Sequence, residues 1–458
     1  MTKDWTRRLE RSPHASSEGP TPNRAGWPSV DVVIGIDYGT RFTKVAVGIG
    51  RERMVWQDES GKRLLPSVVY VTPDSRVVSY PDRPPSNSEK VEYLKMLLAD
   101  DADDIFRSVR SRVAGRPIRD VVRPLAAAFL TGIVRQVRVT LVRRRPDLTG
   151  RPSSWFLNVG VPVQYCDSNV EAFKQVAAIA FEWAQYKPRT VSLDELTVAY
   201  EDAARSVDFD SSPASVAPEL TAALHEFVRD PNRSDDFYGF FDIGGGTLDG
   251  AIFRINRSGV GLPLRIHAAR VECAGSMAVS RTMLAEMYSK LPHYIEGPLL
   301  GTDQRPTIII PLAEPLAFKT NRSAQEQIQN LVATLIGKAR RQFNGQMFSP
   351  RLDATARDTR PLRAFLAGGG ASSGWYKSAI EETYSVRNLQ QWGLTGIRAE
   401  VVSRPQNYSG NDFSRFVIAL GLADTNAALA DAQLPSQIHD ADPLPHRSAP
   451  PPITKDMV

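Results

Sequence analysis

Cysteine is scarce in this sequence of 458 residues. Its two cysteines, Cys166 and Cys273, lie far apart, and neither belongs to a C-x-x-C pair or a Cys/His cluster. A structural zinc ion takes its ligands from such clusters, and a redox pair needs two cysteines close together. We therefore expect no zinc site and no redox-active dithiol, and both thiols should stay reduced.

Long apolar runs are also missing. No stretch of about 18 or more apolar residues is present, which is the length that a membrane-spanning helix requires. The first residues, MTKDWTRRLERSPHASSEG, carry charges without the apolar segment of a secretory signal. The sequence thus predicts a soluble, cytoplasmic protein without a membrane partner.

Charge of one sign is only mildly in excess. The 56 Lys and Arg residues oppose 51 Asp and Glu, which gives a net charge of +5. So small an excess makes nucleic acid an unlikely partner. Arginines are dense only between residues 107 and 151, where apolar residues recur at helical spacing. We interpret this segment as a helix with a solvated basic face; the alternative is a docking surface for an acidic partner or a phosphate backbone.

The length exceeds what one compact core usually carries, and 42% apolar with 23% charged residues is ordinary for a globular protein. Short β-branched strands alternate with longer amphipathic helices, which predicts an α/β fold. We expect two lobes, at 31–203 and 237–410, and a helix at about 411–430 that completes the first lobe.

Three other segments have few apolar residues for their length. Residues 204–236 include the run SSPASVAP, and we interpret them as a surface insertion or linker. Residues 1–29 are rich in Ser, Pro, Gly and charge, and 431–458 are rich in Pro. Such compositions do not offset the entropy lost on ordering the backbone, so we expect a disordered leader and a disordered tail.

Two acid-plus-glycine turns carry the chemistry. Asp37-Tyr-Gly-Thr40 and Asp242-Ile-Gly-Gly-Gly-Thr247 each lie between apolar strands, about two hundred positions apart. Glycine lets the backbone approach a ligand closely, so that such a turn and its Thr hydroxyl can bind phosphate oxygens. The preceding Asp supplies oxygen for a Mg²⁺ ion that neutralises the phosphates. Two such turns across a cleft would bind a triphosphate from both sides.

A plain hairpin is the alternative explanation of one such turn, but two copies in matching strand contexts favour phosphate binding. A Rossmann or P-loop site is not indicated. The sequence has no G-x-G-x-x-G that opens a helix and no G-x-x-x-x-G-K-[ST].

Six motifs in order resemble the DnaK-type heat-shock ATPases and the actins. VVIGIDYGTRFTKVAV is similar to their first phosphate motif, and FFDIGGGTLDGAIF to their second. FLNVGVPVQYCDSNVEAFKQVAAIAF resembles the strand and helix between them, and LDELTVAYEDA the N-E-P-T-A-A connecting motif. RAFLAGGGASSGWYKSAI resembles the adenosine motif, and FSRFVIALGLADTNA the second connecting motif. The resemblance covers about residues 31 to 426.

The resemblance implies two ribonuclease-H-like lobes of the actin-like ATPase fold, with ATP or ADP and Mg²⁺ in the cleft between them. Asp37 and Asp242 would hold the hydrated Mg²⁺, and Asp249 matches the second acid of the motif. Glu195 matches the catalytic glutamate of the N-E-P-T motif and would orient water; the alternative is an exposed glutamate that caps a helix. Phosphates would be bound by Gly39, Thr40, Gly244, Gly245, Gly246 and Thr247.

Two lysines have roles in the same resemblance. Lys95 lies where the chaperones have a phosphate-directed lysine, and Lys44 matches the phosphate-contacting lysine of actin's first loop. The alternatives are a surface helix lysine and a solvent-facing hairpin lysine. Arg41 replaces the second small hydroxyl residue of the chaperone turn and adds a cation beside the phosphates.

The adenosine motif supplies Gly368, Gly369 and Gly370, which would pack beneath the adenosine. It lacks the chaperones' G-S-T-R and reads Gly370-Ala-Ser-Ser373, so the arginine that stacks on adenine is absent. Glu314 would stand for the glutamate that contacts the ribose, followed here by Pro315.

Only about thirty residues follow the last motif, too few for a DnaK-type peptide-binding domain. We therefore expect a DnaK-like, Mg-ATP-hydrolysing switch that acts on a protein partner. The alternatives are an actin-like filament protein and a binding-only pseudo-ATPase.

Overall fold

The computed structural model describes residues 29–79, 85–99, 112–149, 151–186, 191–209, 211–229, 236–255, 264–277, 279–280, 294–297, 308–311, 321–342, 361–403, 412–424 and 432–438. Glu314 lies outside these residues, as do 1–28 and 439–458.

The strands are numbered in chain order. They are β1 (Val30–Asp37), β2 (Phe42–Ile49), β3 (Glu52–Val55), β4 (Leu65–Pro66), β5 (Val69–Val71), β6 (Val77–Ser79), β7 (Glu89–Val91), β8 (Arg112–Val113), β9 (Arg116–Pro117), β10 (Ser153–Val161), β11 (Ala214–Pro218), β12 (Phe237–Ile243), β13 (Leu248–Ile255), β14 (Leu264–Glu272), β15 (Tyr294–Gly297), β16 (Ile308–Pro311), β17 (Leu362–Ala367), β18 (Ile397–Val401) and β19 (Ala432–Gln433).

The α-helices are numbered in the same way. They are α1 (Leu94–Leu98), α2 (Ile118–Arg144), α3 (Val163–Ser168), α4 (Val170–Trp183), α5 (Leu193–Ser206), α6 (Glu219–Ala223), α7 (His225–Arg229), α8 (Asn321–Arg341), α9 (Gly374–Val386) and α10 (Phe413–Leu422). Short 3₁₀ turns cover Pro146–Leu148, Leu389–Trp392 and Pro435–Gln437.

Two six-stranded sheets form the centre of the fold, and five strands of each share one arrangement. In the first sheet the order is β11-β10-β1-β2-β3, with β4 on β2. In the second it is β18-β17-β12-β13-β14, followed by β19. In the first sheet β1, β2 and β3 pair antiparallel in succession, and β10 and β11 extend the sheet from β1 by parallel pairing. In the second sheet β12, β13 and β14 pair antiparallel in succession, and β17 and β18 extend it from β12 by parallel pairing. The same pattern of order and direction thus occurs twice along the chain.

Both central hairpins are apolar because helices cover their sheets. β1 is buried at every position except Asp31, and β2 at every position except its first. Strands that are buried on both faces have continuous apolar sequences rather than alternating ones. In the first sheet α4 packs on β10 and β11, and α10 packs on β1, β2 and β10. In the second sheet α8 packs on β13 and β14, and α9 on β18. The predicted α/β class is confirmed as a mixed fold with several sheets flanked by helices.

Part of the segment 204–236, which we interpreted as a surface insertion or linker, belongs to the first sheet. Its strand β11 pairs in parallel with β10, and α6 follows directly and packs against α10. The run SSPASVAP looked like a loop because it has few apolar residues. The few apolar residues in this run are nevertheless enough for a short strand at the edge of the sheet, because the backbone hydrogen bonds to β10 hold it in place.

The tail that we predicted from residue 431 onward begins with ordered structure. β19 pairs with Leu264 and Arg265 of β14. The backbone N–H of Ser436 then donates to the carboxylate of Asp167 (3.2 Å). The prediction of disorder is therefore wrong for residues 432–438.

Helix α2 contains most of the arginine-dense region. It is long and apolar enough to cross a membrane by length and composition alone, and 61% of its most apolar window is buried in the fold. It packs against α1, α4 and α5, as a core helix does. Several of its arginines bind within the protein: Arg143 pairs with Glu59 (2.7 Å), and Arg144 donates to the carbonyl of Gln57 (3.0 Å). The basic face is thus partly neutralised by the chain itself.

Helix α10 approaches α6 so closely that only glycine fits at one position. A Cβ atom at Gly421 would lie 2.0 Å from the carbonyl oxygen of Ala222. Such overlap with backbone forces the two helices apart. We predict that Gly421→Ala lowers the unfolding free energy by about 2 kcal/mol or more.

Urea denaturation followed by circular dichroism measures this change. Gly374→Ala in α9 is the matched control, because a Cβ at Gly374 meets nothing within 4 Å. Equal midpoints for the two variants would contradict the close packing of α10 and α6.

Candidate functional site

The two acid-plus-glycine turns meet face to face. The first joins β1 to β2, and the second joins β12 to β13. A Cβ at Gly246 would lie 2.8 Å from Cγ2 of Thr40, and a Cβ at Gly245 would lie 3.0 Å from Cβ of Arg41. Glycines are therefore required where the backbones of the two turns come together, and the two sheets present their equivalent hairpin turns to one cleft.

The segment that follows β14 holds the second turn in shape. The carbonyl oxygens of Gly244, Gly245 and Gly246 accept hydrogen bonds from three consecutive backbone N–H groups, at 2.9, 3.0 and 3.2 Å. The donors are Ser276, Met277 and Gly275, in that order. A turn whose carbonyls are all bound on one side is rigid, so that its geometry is set before any ligand arrives.

Four carboxylates are buried at the base of the cleft. Ligand oxygens of Glu219, Asp242 and Asp249 all lie within 4.8 Å of one another. Asp37 is equally buried, at 1% exposure, and its charge acts on the other three. Carboxylates in so small a space repel one another strongly unless cations lie among them.

Two buried lysines provide part of that compensation. Nζ of Lys44 donates to Oδ2 of Asp37 (2.6 Å), and Nζ of Lys95 donates to Oε1 of Glu219 (2.7 Å). Both ion pairs join separate elements: β2 to the end of β1, and α1 to the start of α6. Removal of either lysine would leave a buried carboxylate without its partner.

The crowding of negative charge is reflected in raised pKa values for three of the four carboxylates. Burial raises the pKa of Asp242 to about 6, against the effect of Lys44, and Asp37 raises it further. Burial likewise raises the pKa of Asp249 to about 7, opposed by Lys95. The pKa of Glu219 is well above its ordinary value for the same reason. The two lysines do not balance four carboxylates, so the cluster favours an added proton or an added cation.

Burial opposes the charged forms of both lysines, but the carboxylates around them outweigh that effect. Asp37 and Asp242 raise the pKa of Lys44 above its ordinary value, and Glu219 and Asp249 do the same for Lys95. Both ammonium groups are therefore positively charged at any physiological pH.

Several buried oxygens in the cleft or just behind its wall have no hydrogen-bond partner among the described residues. They are Oγ1 of Thr40, Oε2 of Glu219, Oδ1 of Asp242 and Oδ1 of Asp249. An unsatisfied buried polar atom carries a substantial free-energy cost, so such atoms mark a place where a ligand, an ion or water completes the structure. Three of the four are carboxylate oxygens, which are the donors that hard divalent cations prefer.

The cleft encloses about 670 Å³, including the part that opens to solvent, which is within the usual range for small-molecule sites. Most residues that the motifs predicted lie on its wall. These are Asp37, Gly39, Thr40, Arg41, Lys44, Lys95, Asp242, Gly244, Gly245, Thr247, Asp249 and Gly369. Four lining residues, Phe42, Leu64, Ser276 and Arg415, were not predicted.

The third glycine turn follows β17, and two of its three glycines pack against β12. Gly368 has φ of +85°, and a Cβ there would lie 2.3 Å from Oδ1 of Asp242. A Cβ at Gly370 would lie 2.3 Å from Cγ2 of Ile243. These two glycines allow the turn to pack on the end of β12, and Gly369 alone of the three lines the cleft. The sequence had assigned all three to contact with adenosine.

Glu195 is not in the cleft. It is exposed at the start of α5, where its carboxylate accepts from the backbone N–H of Ser192 (2.9 Å) in a capping box. The glutamate that lies with Asp242 and Asp249 is Glu219. Both glutamates begin the tripeptide E-L-T, but Glu219-Leu-Thr-Ala-Ala223 follows a strand and keeps the E-x-T-A-A spacing of the connecting motif. A serine three residues before Glu195 was the sign of a cap.

Arg41 lies at the meeting point of the two turns, but its guanidinium binds protein groups. Nη1 donates to Glu92 (2.5 Å), and Nε lies 3.1 Å from Sδ of Met277. Arg41 therefore links the first turn to Glu92, which follows β7, and to Met277 in the segment that follows β14.

The chain matches no protein-family model and no curated protein. A function for this cleft therefore has to be inferred from its geometry and from the order of the motifs.

The raised pKa values predict how stability depends on pH. Because the folded state holds these protons more tightly than the unfolded state does, the free energy of unfolding should fall as pH rises through about 6 to 7. Asp249→Asn removes one of the responsible charges. In EDTA at about pH 8 we expect this variant to melt about 4 °C or more above wild type, and at about pH 5 the gain should be clearly smaller, because the folded wild type then holds the proton.

Differential scanning calorimetry at both pH values measures this effect. Asp194→Asn is the control, since Asp194 is exposed at the start of α5 and its loss should not produce a pH-dependent gain. A lower melting temperature for Asp249→Asn at both pH values would show that the carboxylate is stabilising as an anion.

Proposed function

We propose that this protein binds Mg-ATP in the cleft between its two sheets, hydrolyses it, and acts as a nucleotide-dependent conformational switch on a protein partner. One observation carries the proposal. Two equivalent hairpin turns, one from each sheet, touch beside four buried carboxylates and two buried lysines. Three of the carboxylates, those of Glu219, Asp242 and Asp249, each keep one oxygen without a partner among the described residues.

The strand order supports membership of the actin and DnaK-type ATPase superfamily. Two sheets with the same order and the same strand directions are what a pair of ribonuclease-H-like lobes requires. The two phosphate motifs fall on equivalent hairpins of the two sheets, β1–β2 and β12–β13. We therefore propose two such lobes. The cytoplasm is the location we propose, because ATP is available there and both cysteines are free thiols.

The donor set fits Mg²⁺. Asp37, Asp242 and Asp249 would hold the hydrated ion, since hard cations prefer carboxylate oxygens and Mg²⁺ retains several waters. Within the described residues, Oδ1 of Asp242 and Oδ1 of Asp249 have no hydrogen-bond partner, so both atoms could contact the ion or its waters. When bound, the ion would neutralise phosphate charge.

The phosphate chain has cationic and hydroxyl groups ready for it. Lys44 and Lys95 are charged, buried and on the wall of the cleft, and Oγ1 of Thr40 has no other partner in the described structure. Charged donors held rigidly in a site without bulk water stabilise the charge that develops during phosphoryl transfer.

In this proposal Glu219 would orient the attacking water. Its Oε1 is bound by Lys95, which leaves Oε2 as the atom that accepts a hydrogen bond from water. The high pKa of this carboxyl, caused mainly by burial, makes it a better proton acceptor once it is ionised. Water held at Oε2 on one side and a phosphate held by both turns on the other would be aligned for displacement.

The proposed conformational switch depends on the fact that the site residues come from two different sheets. Asp37, Lys44 and Glu219 belong to the first sheet and its helices, whereas Asp242 and Asp249 belong to the second. A nucleotide that contacts both sets binds the closed arrangement more tightly than an open one, so hydrolysis changes the balance between them. A partner that recognises one arrangement would respond to the nucleotide state.

The two E-L-T glutamates provide a matched pair for testing hydrolysis. We predict that Glu219→Gln lowers the rate of phosphate release from Mg-ATP by about a hundredfold or more, because it removes the acceptor for water. Glu195→Gln should leave the rate unchanged, since it alters only an exposed helix cap.

Single-turnover phosphate release and ATP binding by calorimetry are measured on both variants. Equal rates in the two variants would overturn the role of Glu219. ATP binding without phosphate release in the wild type would establish the binding-only alternative.

Mg²⁺ dependence tests the carboxylate cluster. Asp242→Asn should weaken the effect of Mg²⁺ on ATP affinity by about tenfold or more, because a charged ligand becomes neutral. Titration of each protein with ATP, with and without Mg²⁺, measures this coupling. The exposed substitution Asp194→Asn should leave it intact, and an unchanged coupling in Asp242→Asn would place the metal elsewhere.

A further inference from the structure

Arg41 follows Thr40 in the first turn, and its side chain runs over the second turn. A Cβ atom at Gly245 would lie 3.0 Å from both Cβ and Cγ of Arg41. Nε of Arg41 lies 3.1 Å from Sδ of Met277, in the segment that follows β14. The Arg41 side chain is only 10% exposed and lines the cleft. A cation of the first sheet is thus held against the second sheet, where the two turns meet.

The carboxylate that binds this guanidinium also binds a second cation. Oε1 of Glu92 accepts from Nη1 of Arg41 (2.5 Å) and lies 2.8 Å from Nζ of Lys90. If Arg41 turned away, Lys90 would still compensate the charge of Glu92, whose side chain also reaches water. The thioether sulfur of Met277 is a weak acceptor and adds little to the hold on Nε. Arg41 can therefore exchange these two contacts for a stronger acceptor at small cost.

A bound triphosphate would need a cation that the two lysines of the cleft do not supply. Nζ of Lys44 and Nζ of Lys95 donate to Asp37 and Glu219, so carboxylates already oppose both charges. A triphosphate brings more negative charge than one Mg²⁺ ion neutralises, and it would lie beside carboxylates that are buried. Arg41 lines the same cleft and could offset the excess.

We propose that Arg41 turns from Glu92 to the terminal phosphate when ATP binds, and that this exchange lets the cleft distinguish ATP from ADP. The inference rests on the proposed function and adds the group that senses the third phosphate. A guanidinium donates two parallel hydrogen bonds to phosphate oxygens, and such charge-assisted bonds are much stronger than one to a thioether. Oγ1 of Thr40, buried without a partner among the described residues, is the neighbouring donor. ADP lacks the terminal phosphate, so Arg41 would stay on Glu92.

Calorimetric titration with Mg-ADP and with Mg-AMP-PNP, a non-hydrolysable ATP analogue, tests the exchange. Arg41→Ala should lose about tenfold or more in affinity for AMP-PNP, and little for ADP. Arg41→Lys keeps the charge without the planar fork and should recover only part of the loss. Glu92→Gln removes the charge that competes for Arg41, so it should bind AMP-PNP about threefold or more tightly than wild type does, with ADP unchanged.

The control is Arg398→Ala, which removes an exposed arginine from β18 and should change neither affinity. If Arg41→Ala does not fold, as judged by its melting temperature, Arg41→Lys and Glu92→Gln provide the test. An equal loss for AMP-PNP and ADP in the Arg41 variants, or no gain for AMP-PNP in Glu92→Gln, would overturn this inference alone, because Arg41 would then only join the two turns. If wild type binds neither nucleotide, the proposed function is overturned with it.

Discussion

The arrangement of this protein depends on how four carboxylates are kept together in a space that excludes most water. Burial of Asp37, Glu219, Asp242 and Asp249 is tolerable only because Lys44 and Lys95 lie among them. The compensation is incomplete, as the raised pKa values of Asp242, Asp249 and Glu219 show. A protein that keeps an excess of buried negative charge has a site whose unfavourable electrostatics a bound cation would relieve.

The repeated sheet architecture explains how such a cluster forms. In both sheets the first hairpin is central, with an antiparallel strand on one side and parallel strands on the other. Its turn therefore emerges at one edge, next to the ends of the parallel strands. Glu219 comes from the end of β11 in the first sheet, and the Gly368 turn from the end of β17 in the second. Helix α10 packs on both sheets and brings Arg415 to the same cleft. The site is thus a consequence of strand order as much as of any single motif.

The parts of the site that could be predicted were local in sequence. Asp37 and Asp242 are each encoded together with the glycine turn that follows, and strands of apolar residues flank both turns. Lys44 pairs with Asp37 across a two-strand register that the hairpin itself defines. In such cases the chemistry, the turn and the strand period all agree, and the α/β class follows from the same pattern.

The parts that failed depend on contacts between distant segments. Glu219 was missed because its strand, β11, is short and lies in a Ser- and Pro-rich run, and only pairing with β10 reveals it as part of the sheet. Glu195 was preferred because LDELTVAYEDA resembles the connecting motif and comes directly before a regular helix. The ordered residues after 431 depend on pairing with β14 in the same way. Gly368 and Gly370 looked like ligand contacts, whereas the packing of one turn on another requires them.

The central claim is that both hairpin turns bind one metal–triphosphate unit. A crystal structure of the protein with Mn²⁺ and a non-hydrolysable nucleoside triphosphate, using anomalous scattering to locate the ion, tests it most directly. The account predicts Mn²⁺ beside Asp37 and Asp242, with phosphate oxygens at Lys44, at Thr40 and at the Gly244–Thr247 turn. Nucleotide or metal bound outside this cleft, or contact with one turn only, would contradict it.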